Sequence, residues 1–353
     1  MPSIPVGVLG ATGMVGQQFI ALLADHPWFK VSYLGASERS AGKAFKDAAA
    51  WRLPNRLPDD VATRVVEAAA PGTAPKLVFS GLDSSVAGEI EAEFARAGHV
   101  VVSNSRNYRM FDTVPLMIPE VNAEHLKLLD AQGKTQGWSG RIITNPNCAT
   151  IVLAMALAPL RQFGLHSTLV TTLQAISGAG YPGVPSWDIL ANIIPHIGGG
   201  EEEKVETETR KILGSLGSGK VDNHPVRLSA TTTRVPVRDG HTGSISVGLT
   251  QKPSADAVID AWRSFRGRPQ ELDLPSAPKQ PIVYLEEANR PQPLLDVNRE
   301  GGMSPGPAHS PRGPALTRSV WDRRMAPTRR SRPTTSPIKA IRVWASIIKP
   351  SRT

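Results

Sequence analysis

Through the first 147 residues, short apolar runs alternate with stretches whose apolar positions recur every three or four residues. Residues 4–9 form a compact apolar run, and Phe19, Ile20, Leu22 and Leu23 follow at helical spacing. Residues 31–34, 77–79 and 100–102 repeat the strand-like run, and residues 84–97 carry a helical pattern between the last two. Strands alternating with helices predict a parallel sheet covered on both faces. From residue 148 the pattern changes. Residues 148–163 read as a helix, and residues 169–176, 227–235 and 244–249 as strands rich in Thr, Val and Ser. An acidic helix over 201–213 and another over 255–265 lie between or after them. Elements grouped this way predict an α+β domain on an antiparallel or mixed sheet. From residue 304 onward eight prolines break any periodicity. No strand or helix is expected there before Ile338, only a weak apolar run over 338–348, and the composition predicts disorder.

Length and composition fit two domains of ordinary size: 353 residues, 40% of them hydrophobic. No stretch approaches the ~20 uninterrupted apolar residues of a membrane span. The start, Met1-Pro2-Ser3-Ile4-Pro5, lacks the features of a signal peptide, so a soluble, cytoplasmic protein is expected. The net charge of +9 changes meaning once it is located. Of 40 Lys and Arg and 31 Asp and Glu, eleven and one (Asp322) fall in residues 304–353, leaving 29 and 30, a net −1, in residues 1–303. The basic character belongs to the tail, and it does not predict a nucleic-acid surface on the body.

Candidate chemistry begins at Gly10-Ala11-Thr12-Gly13-Met14-Val15-Gly16, which follows the first strand and opens a helix. Glycines there permit a tight turn and close approach to a pyrophosphate, and the helix start offers free N–H groups to negative charge. The cofactor type is decided after the second strand, in Ser37-Glu38-Arg39-Ser40-Ala41-Gly42-Lys43. Glu38 suits the ribose hydroxyl of NAD, whereas Ser37, Arg39, Ser40 and Lys43 suit a 2′-phosphate, so NADP is favoured if Glu38 points away.

The single cysteine, Cys148, sits in Asn145-Pro146-Asn147-Cys148-Ala149-Thr150 at a predicted helix start. The helix dipole there favours thiolate, the nucleophilic form. A plain packing cysteine is the competing reading. One cysteine forms neither an internal disulfide nor a multi-cysteine metal site, and no metal is expected. Among eight histidines, His241 stands out, in a turn between two strands, as a candidate base; His125, His166 and His26 read as surface residues. Gln174-Ala175-Ile176-Ser177-Gly178-Ala179-Gly180-Tyr181 ends a strand either in a tight turn or in a backbone lying close to a flat ligand. The acids of Glu201-Glu202-Glu203-Lys204 are mostly accounted for by the helix dipole.

These segments, with Ser103-Asn104-Ser105-Arg106-Asn107-Tyr108-Arg109, Pro119-Glu120-Val121-Asn122 and residues 234–241, closely resemble aspartate-β-semialdehyde dehydrogenases over residues 4 to about 303, in a branch found in archaea and fungi. The resemblance implies an α/β fold: a Rossmann-type NADP-binding domain over 1–147 and an α+β catalytic and dimerisation domain over 148–303. It implies reversible NADPH-dependent reduction of L-aspartyl-4-phosphate to aspartate semialdehyde and phosphate, in the aspartate pathway to lysine, threonine, methionine and isoleucine. By the same resemblance Cys148 is the nucleophile that forms a thioester, His241 the general acid/base, and Gln174 the residue that orients substrate. Asn147 helps hold substrate, Arg109 and Lys204 bind phosphate, and Arg234 and Glu201 grip the carboxylate and amino group. Gly10, Thr12, Gly13, Met14, Val15, Ser37, Arg39, Ser40, Ser80, Ser177, Gly178 and Gly180 are the implied cofactor contacts. A homodimer or homotetramer is expected, with no nucleic-acid or membrane partner.

After Gly301-Gly302-Met303 the family pattern stops. A further strand, an Asn-Thr segment and a long Ala- and Gly-rich helix are replaced by the basic, Pro-rich tail of residues 304–353. Loss of that helix leaves open a non-catalytic, nucleotide-binding relic, and the basic tail a nucleic-acid or membrane-surface binder. A shifted reading frame or a wrong splice junction produces such a switch. Re-translation of the coding DNA past the Met303 codon is expected to reveal a helix-coding frame; its absence from both other frames would refute this origin.

Overall fold

The computed structural model describes residues 3–307 and the backbone of Pro333–Ser336. Six parallel strands form the first sheet: β1 (Ile4–Leu9), β2 (Phe29–Ala36), β3 (Glu67–Ala68), β4 (Leu77–Ser80), β5 (Val100–Ser103) and β6 (Arg141–Thr144). Their order is β3-β2-β1-β4-β5-β6, with every neighbouring pair parallel. This doubly wound order binds nucleotides at the carboxyl ends of its strands. Neighbouring residues along a strand point to opposite faces, and here both faces are covered. Phe79, Val102 and Ile143 join Phe19, Ile20 and Leu23 of helix α1 (Met14–Leu23) in one core. Val78, Val101 and Ile142 join Ala92, Phe94 and Ala95 of α2 (Ser84–Arg96) in the other. Helix α3 (Leu128–Gln136) precedes β6.

The second sheet is mixed, in the order β13-β12-β7-β11-β8. Its strands are β7 (Leu165–Gln174), β8 (Ile194–Pro195), β11 (Arg227–Arg234), β12 (His241–Leu249) and β13 (Pro333–Ser336); β9 (Ser215–Leu216) and β10 (Val221–Asp222) form a separate hairpin. The longest strands run β12 antiparallel and β11 parallel to β7. Helices α4 (Cys148–Leu157), α5 (Glu201–Ile212) and α6 (Ala255–Ser264) pack on one face around Leu153, Val170, Val205, Ile245 and Trp262. On the other face, Leu169 and Leu173 of β7 are each 39% exposed.

Several elements depart from the sequence pattern for local reasons. The helix expected over 148–163 is α-helical only to Leu157, and Ala158–Phe163 is a 3-10 turn. Pro159 lies at its start and has no N–H to continue the ladder. The acids of α5 do more than face its dipole: Glu202 Oε1 accepts from Thr232 N at 3.1 Å and Glu206 Oε1 from Ala230 N at 3.0 Å. These carboxylates satisfy donors of β11 that no strand reaches along that stretch. His125 is fully buried, with Nδ1 at 3.0 Å from Asn122 Nδ2 and Nε2 at 3.2 Å from Gly214 O, so it is not a surface residue.

Order also continues past the family-like region. Ser304 is buried, and the carbonyls of Pro305 and Pro307 accept from Val283 N and Leu285 N at 3.1 and 2.9 Å. Pro333–Ser336, where no strand was expected, pairs antiparallel with His241–Ser244, its proline on an edge strand where no ladder N–H is needed. The disorder expected elsewhere in 304–353, and the apolar run over 338–348, lie outside the described residues. Among the described residues no helix is long and apolar enough to cross a membrane.

Candidate active site

The ends of β7 and β11, the start of β12 and the N-termini of α4 and α5 meet at one edge of the second sheet. There they place Gln174, Arg234, His241, Cys148, Glu201 and Lys204. Helix α4 starts only four residues after β6, so the same place adjoins the carboxyl edge of the first sheet.

Asn147 makes the start of α4. Its Oδ1 accepts from Ala149 N at 2.9 Å and Thr150 N at 3.2 Å, a side-chain N-cap. Its Nδ2 donates to Glu201 Oε1 at 2.8 Å, and Glu201 Oε2 meets Lys204 Nζ at 3.2 Å. Cys148, the next residue, remains partly accessible. His241 Nε2 stands 2.9 Å from its Sγ.

Across the ring, Ala175 N donates to His241 Nδ1 at 2.9 Å. A neutral imidazole accepts on one nitrogen and donates from the other. On this geometry its proton is on Nε2 and faces the sulfur. Burial, and then the positive charge of Arg234, hold His241 down at about 4, so the ring is neutral near pH 7. Burial, and then Glu201, push the Cys148 thiol up to about 12. Arg234, the Ala149 N–H and Arg109 pull it down but are outweighed. This corrects the expectation of a thiolate at rest: the helix start acts in the predicted direction, yet burial and a nearby carboxylate win.

Other predicted residues join the cluster. Arg234 Nη1 donates to Ala175 O at 2.8 Å. Gln174 Nε2 reaches Thr172 Oγ1 at 3.3 Å, while its Oε1 is buried without a partner, an acceptor open to a ligand. Ser177 Oγ is likewise buried and unpartnered. Gly178 lies so close that a Cβ there would sit 2.8 Å from Arg234 Nη1 and 2.9 Å from His241 Cε1. Its glycine therefore answers a packing demand of Arg234 and His241. Arg109, 7% exposed, donates from Nη1 to Glu208 Oε1 at 2.9 Å and from Nη2 to Asn104 O at 2.8 Å, leaving Nε unpartnered.

The first sheet presents a cradle that fits a dinucleotide. Gly10 has φ +69°, and a Cβ on it would meet Gly81 O at 2.7 Å. A Cβ on Gly16 would meet Gly10 O at 2.2 Å, so the loop packs tightly against α1. Gly13, the N-cap of α1, is exposed and supplies no side-chain cap, and Thr12, Met14 and Val15 are half-buried around it. The N–H groups of this helix start have no capping side chain in front of them. Ser37, Glu38 and Arg39 are exposed and Ser40 half-buried, in a turn closed by Ser40 N to Ser37 O at 2.9 Å and by Lys43 Nζ on Arg39 O at 3.0 Å. Ser80 is a correction. It is fully buried, and its hydroxyl donates to Glu91 Oε1 at 2.6 Å, so its side chain does not face the cradle.

Sequence reasoning missed Glu208, Lys211 and Ala175. Glu201, Lys204, Glu208 and Lys211 recur at three- and four-residue spacing and share one face of α5 with the buried Val205 and Ile212. Charges on the apolar face of a helix are the signal that could have found two of them. Ala175 acts only through its backbone, which carries no sequence signal.

The family model for the semialdehyde dehydrogenase NAD binding domain matches residues 5–129, and that for the semialdehyde dehydrogenase dimerisation domain matches residues 157–304. An aspartate-semialdehyde dehydrogenase of Archaeoglobus fulgidus is 48% identical over 302 residues, 85% of this chain and 86% of that protein. One of Cryptococcus neoformans is 49% identical over 315 residues, 85% of this chain and 86% of that protein. The crystal structure of aspartate semialdehyde dehydrogenase with NADP from Candida albicans superimposes with a TM-score of 0.84 at 40% identity, covering 98% of this chain and 96% of that one.

A thiol held at about 12 is alkylated slowly and ever faster with alkali. The rate of Cys148 modification by iodoacetamide is expected to rise about tenfold per pH unit from roughly pH 7 to 10. A plateau below pH 8 in the free protein would show a thiolate at rest instead.

Proposed function

The chain belongs to the aspartate-semialdehyde dehydrogenase family, and from that membership we propose that it interconverts L-aspartyl-4-phosphate and L-aspartate 4-semialdehyde with NADP(H), releasing or taking up phosphate. The observation that carries this reading is Cys148 Sγ at 2.9 Å from the Nε2 of a neutral His241, at a capped helix start. A second role, as a non-catalytic nucleotide binder, has no comparable support: the nucleophile and its partner are paired, and the relatives named above are dehydrogenases.

Gly10, Thr12, Gly13, Met14 and Val15 would hold the pyrophosphate, and Ser37, Arg39 and Ser40 a 2′-phosphate. Ser177, Gly178 and Gly180 would border the nicotinamide. When bound, the cofactor supplies the hydride exchanged with the acyl carbon. Cys148 sulfur attacks that carbon; the C–S bond forms, the bond to phosphate oxygen breaks, the thiol proton leaves on the departing phosphate, and a thioester remains on the enzyme. When the aldehyde departs, the C–S bond breaks and the sulfur takes both electrons. His241 Nε2–H is placed to donate a hydrogen bond to that sulfur, or to an oxyanion beside it. Taking up a proton as a base requires Nδ1 to carry one too, which the Ala175 N–H opposes.

Arg109 and Lys204 suit the phosphate, the free Nε of Arg109 being one available donor. Arg234 suits the substrate carboxylate, and Glu201 its ammonium, with Gln174 and Asn147 orienting the rest. An ammonium beside Glu201 would neutralise the carboxylate that helps push the Cys148 thiol up. Substrate binding would thus ease ionisation of its own nucleophile.

The face of the second sheet that carries the exposed Leu169 and Leu173 lies inside the segment matched by the dimerisation-domain model. It suits a second copy of this chain in a homodimer, alone or within a homotetramer.

The full-length chain is expected to reduce NADP⁺ only when aspartate semialdehyde and phosphate are both present. Cys148→Ser is expected to lower kcat by about a thousandfold or more, since a hydroxyl is a far weaker nucleophile than a thiol. Turnover at the parental rate by a folded Cys148→Ser variant would remove the thioester. In analytical ultracentrifugation the protein is expected to sediment as a dimer or tetramer, and Leu173→Lys to shift it toward monomer; a monomeric parent at micromolar concentration would exclude the sheet-face interface.

A further inference from the structure

Glu208 is 2% exposed and takes no part in the reaction above, yet it touches two of its elements. Oε1 accepts from Arg109 Nη1 at 2.9 Å, and Oε2 accepts from the backbone N of Asn147 at 2.6 Å. Asn147 is the cap of α4 and the residue before Cys148. From Arg109 a second path runs back to the same turn. Its Nη2 donates to Asn104 O at 2.8 Å, and Asn104 Oδ1 accepts from Asn145 Nδ2 at 3.0 Å. Arg109, Glu208, Asn147, Asn145 and Asn104 therefore form a closed ring, completed through the backbone of Pro146. Beneath it, Lys211 Nζ donates to the carbonyls of Arg109, Phe111 and Val114 at 2.8, 2.7 and 3.0 Å, so the backbone bearing Arg109 is held by the same helix.

We propose that Glu208 is a positioning residue that couples anion occupancy at Arg109 to the placement of Cys148. Only an ionised carboxylate offers two acceptor oxygens at this spacing, one for a guanidinium and one for an amide. A glutamine keeps the shape but turns an NH2 toward one of those two donors, so one of the two bonds is lost. Movement of the guanidinium toward a bound phosphate is then no longer transmitted to the turn that carries the sulfur.

The inference rests on the proposed reaction only for the identity of the anion, and inorganic phosphate serves as the probe. In the full-length parent, phosphate is expected to protect Cys148 saturably from iodoacetamide. In Glu208→Gln, the phosphate concentration for half-protection and the KM for phosphate are expected to rise at least about tenfold, the loss of one charged hydrogen bond, with the KM for NADP⁺ unchanged. Glu206→Gln, on the same helix but bonded to Ala230 N, is expected to leave both phosphate constants as they are. The coupling is overturned if a folded Glu208→Gln keeps its phosphate constants within about twofold of the parent, or if Glu206→Gln reproduces the loss. Should Glu208→Gln fail to fold, Arg109→Lys reads the ring from its other side, because lysine has a single nitrogen where the guanidinium places two, Nη1 on Glu208 and Nη2 on Asn104. A changed Cys148 alkylation rate without phosphate supports the coupling, and an unchanged one overturns it. Protection without turnover in the parent would refute the reaction alone; turnover without protection would refute the coupling alone.

Discussion

Everything in this site is referred to one half-buried helix start. Asn147 caps α4 with its Oδ1, gives its Nδ2 to Glu201 and its backbone N–H to Glu208. A single residue thus receives the carboxylates of two turns of α5, and the position of Cys148 follows from it. The 2.9 Å contact with His241 could not persist if this turn shifted by even an ångström. Because α4 leaves β6 almost at once, the same turn also fixes how the second sheet's chemistry meets the first sheet's carboxyl edge.

The site concentrates charge where water is scarce. Arg109, Glu201, Glu208, Lys211 and Arg234 are all less than a tenth exposed. Leaving one such charge uncompensated costs about 3–5 kcal/mol, a large part of a domain's net stability of roughly 5–15 kcal/mol. The structure meets this by giving each charge a partner of opposite sign or a set of backbone groups: Arg109 with Glu208, Arg234 on Ala175 O, Lys211 on three carbonyls. Against that background Cys148 and His241 are both neutral. Burial acts on them in opposite directions, raising the acid and lowering the base, so proton transfer between them is uphill in the free protein. In the reaction proposed above the ligand is zwitterionic and phosphorylated, and ionisation of the sulfur is left to its arrival.

The same residue type met opposite fates in the two halves. Ser80 ends β4 where a cofactor-facing hydroxyl was expected, but a buried carboxyl, Glu91, claims it together with Ser103. Burial pushes Glu91 up to about 7, and its Oε1 joins the ends of β4 and β5. Ser177, by contrast, keeps an unpartnered buried hydroxyl at the end of the Gln174 loop. Nothing in the local sequence separates these two serines; the difference is whether a distant carboxyl packs beneath them.

What the chain's order alone determined is local in its physics. Alternating periodicities predicted a parallel sheet covered on both faces, because side-chain direction repeats every two residues in a strand and every 3.6 in a helix. The glycines of residues 10–16 and the Asn-Cys helix start were readable because backbone clearance and capping act within a few residues. Tertiary structure alone decided the rest. It set His241 2.9 Å from Cys148 by bringing β12 beside α4, and it buried His125 instead of exposing it. It reversed the expected ionisation of Cys148, because desolvation and the charge of Glu201, 53 residues away in the chain, outweigh a helix dipole. It assigned Glu208 a role by closing a ring through four other residues. Through-space electrostatics and burial have no sequence period, so they became legible only once the chain was folded.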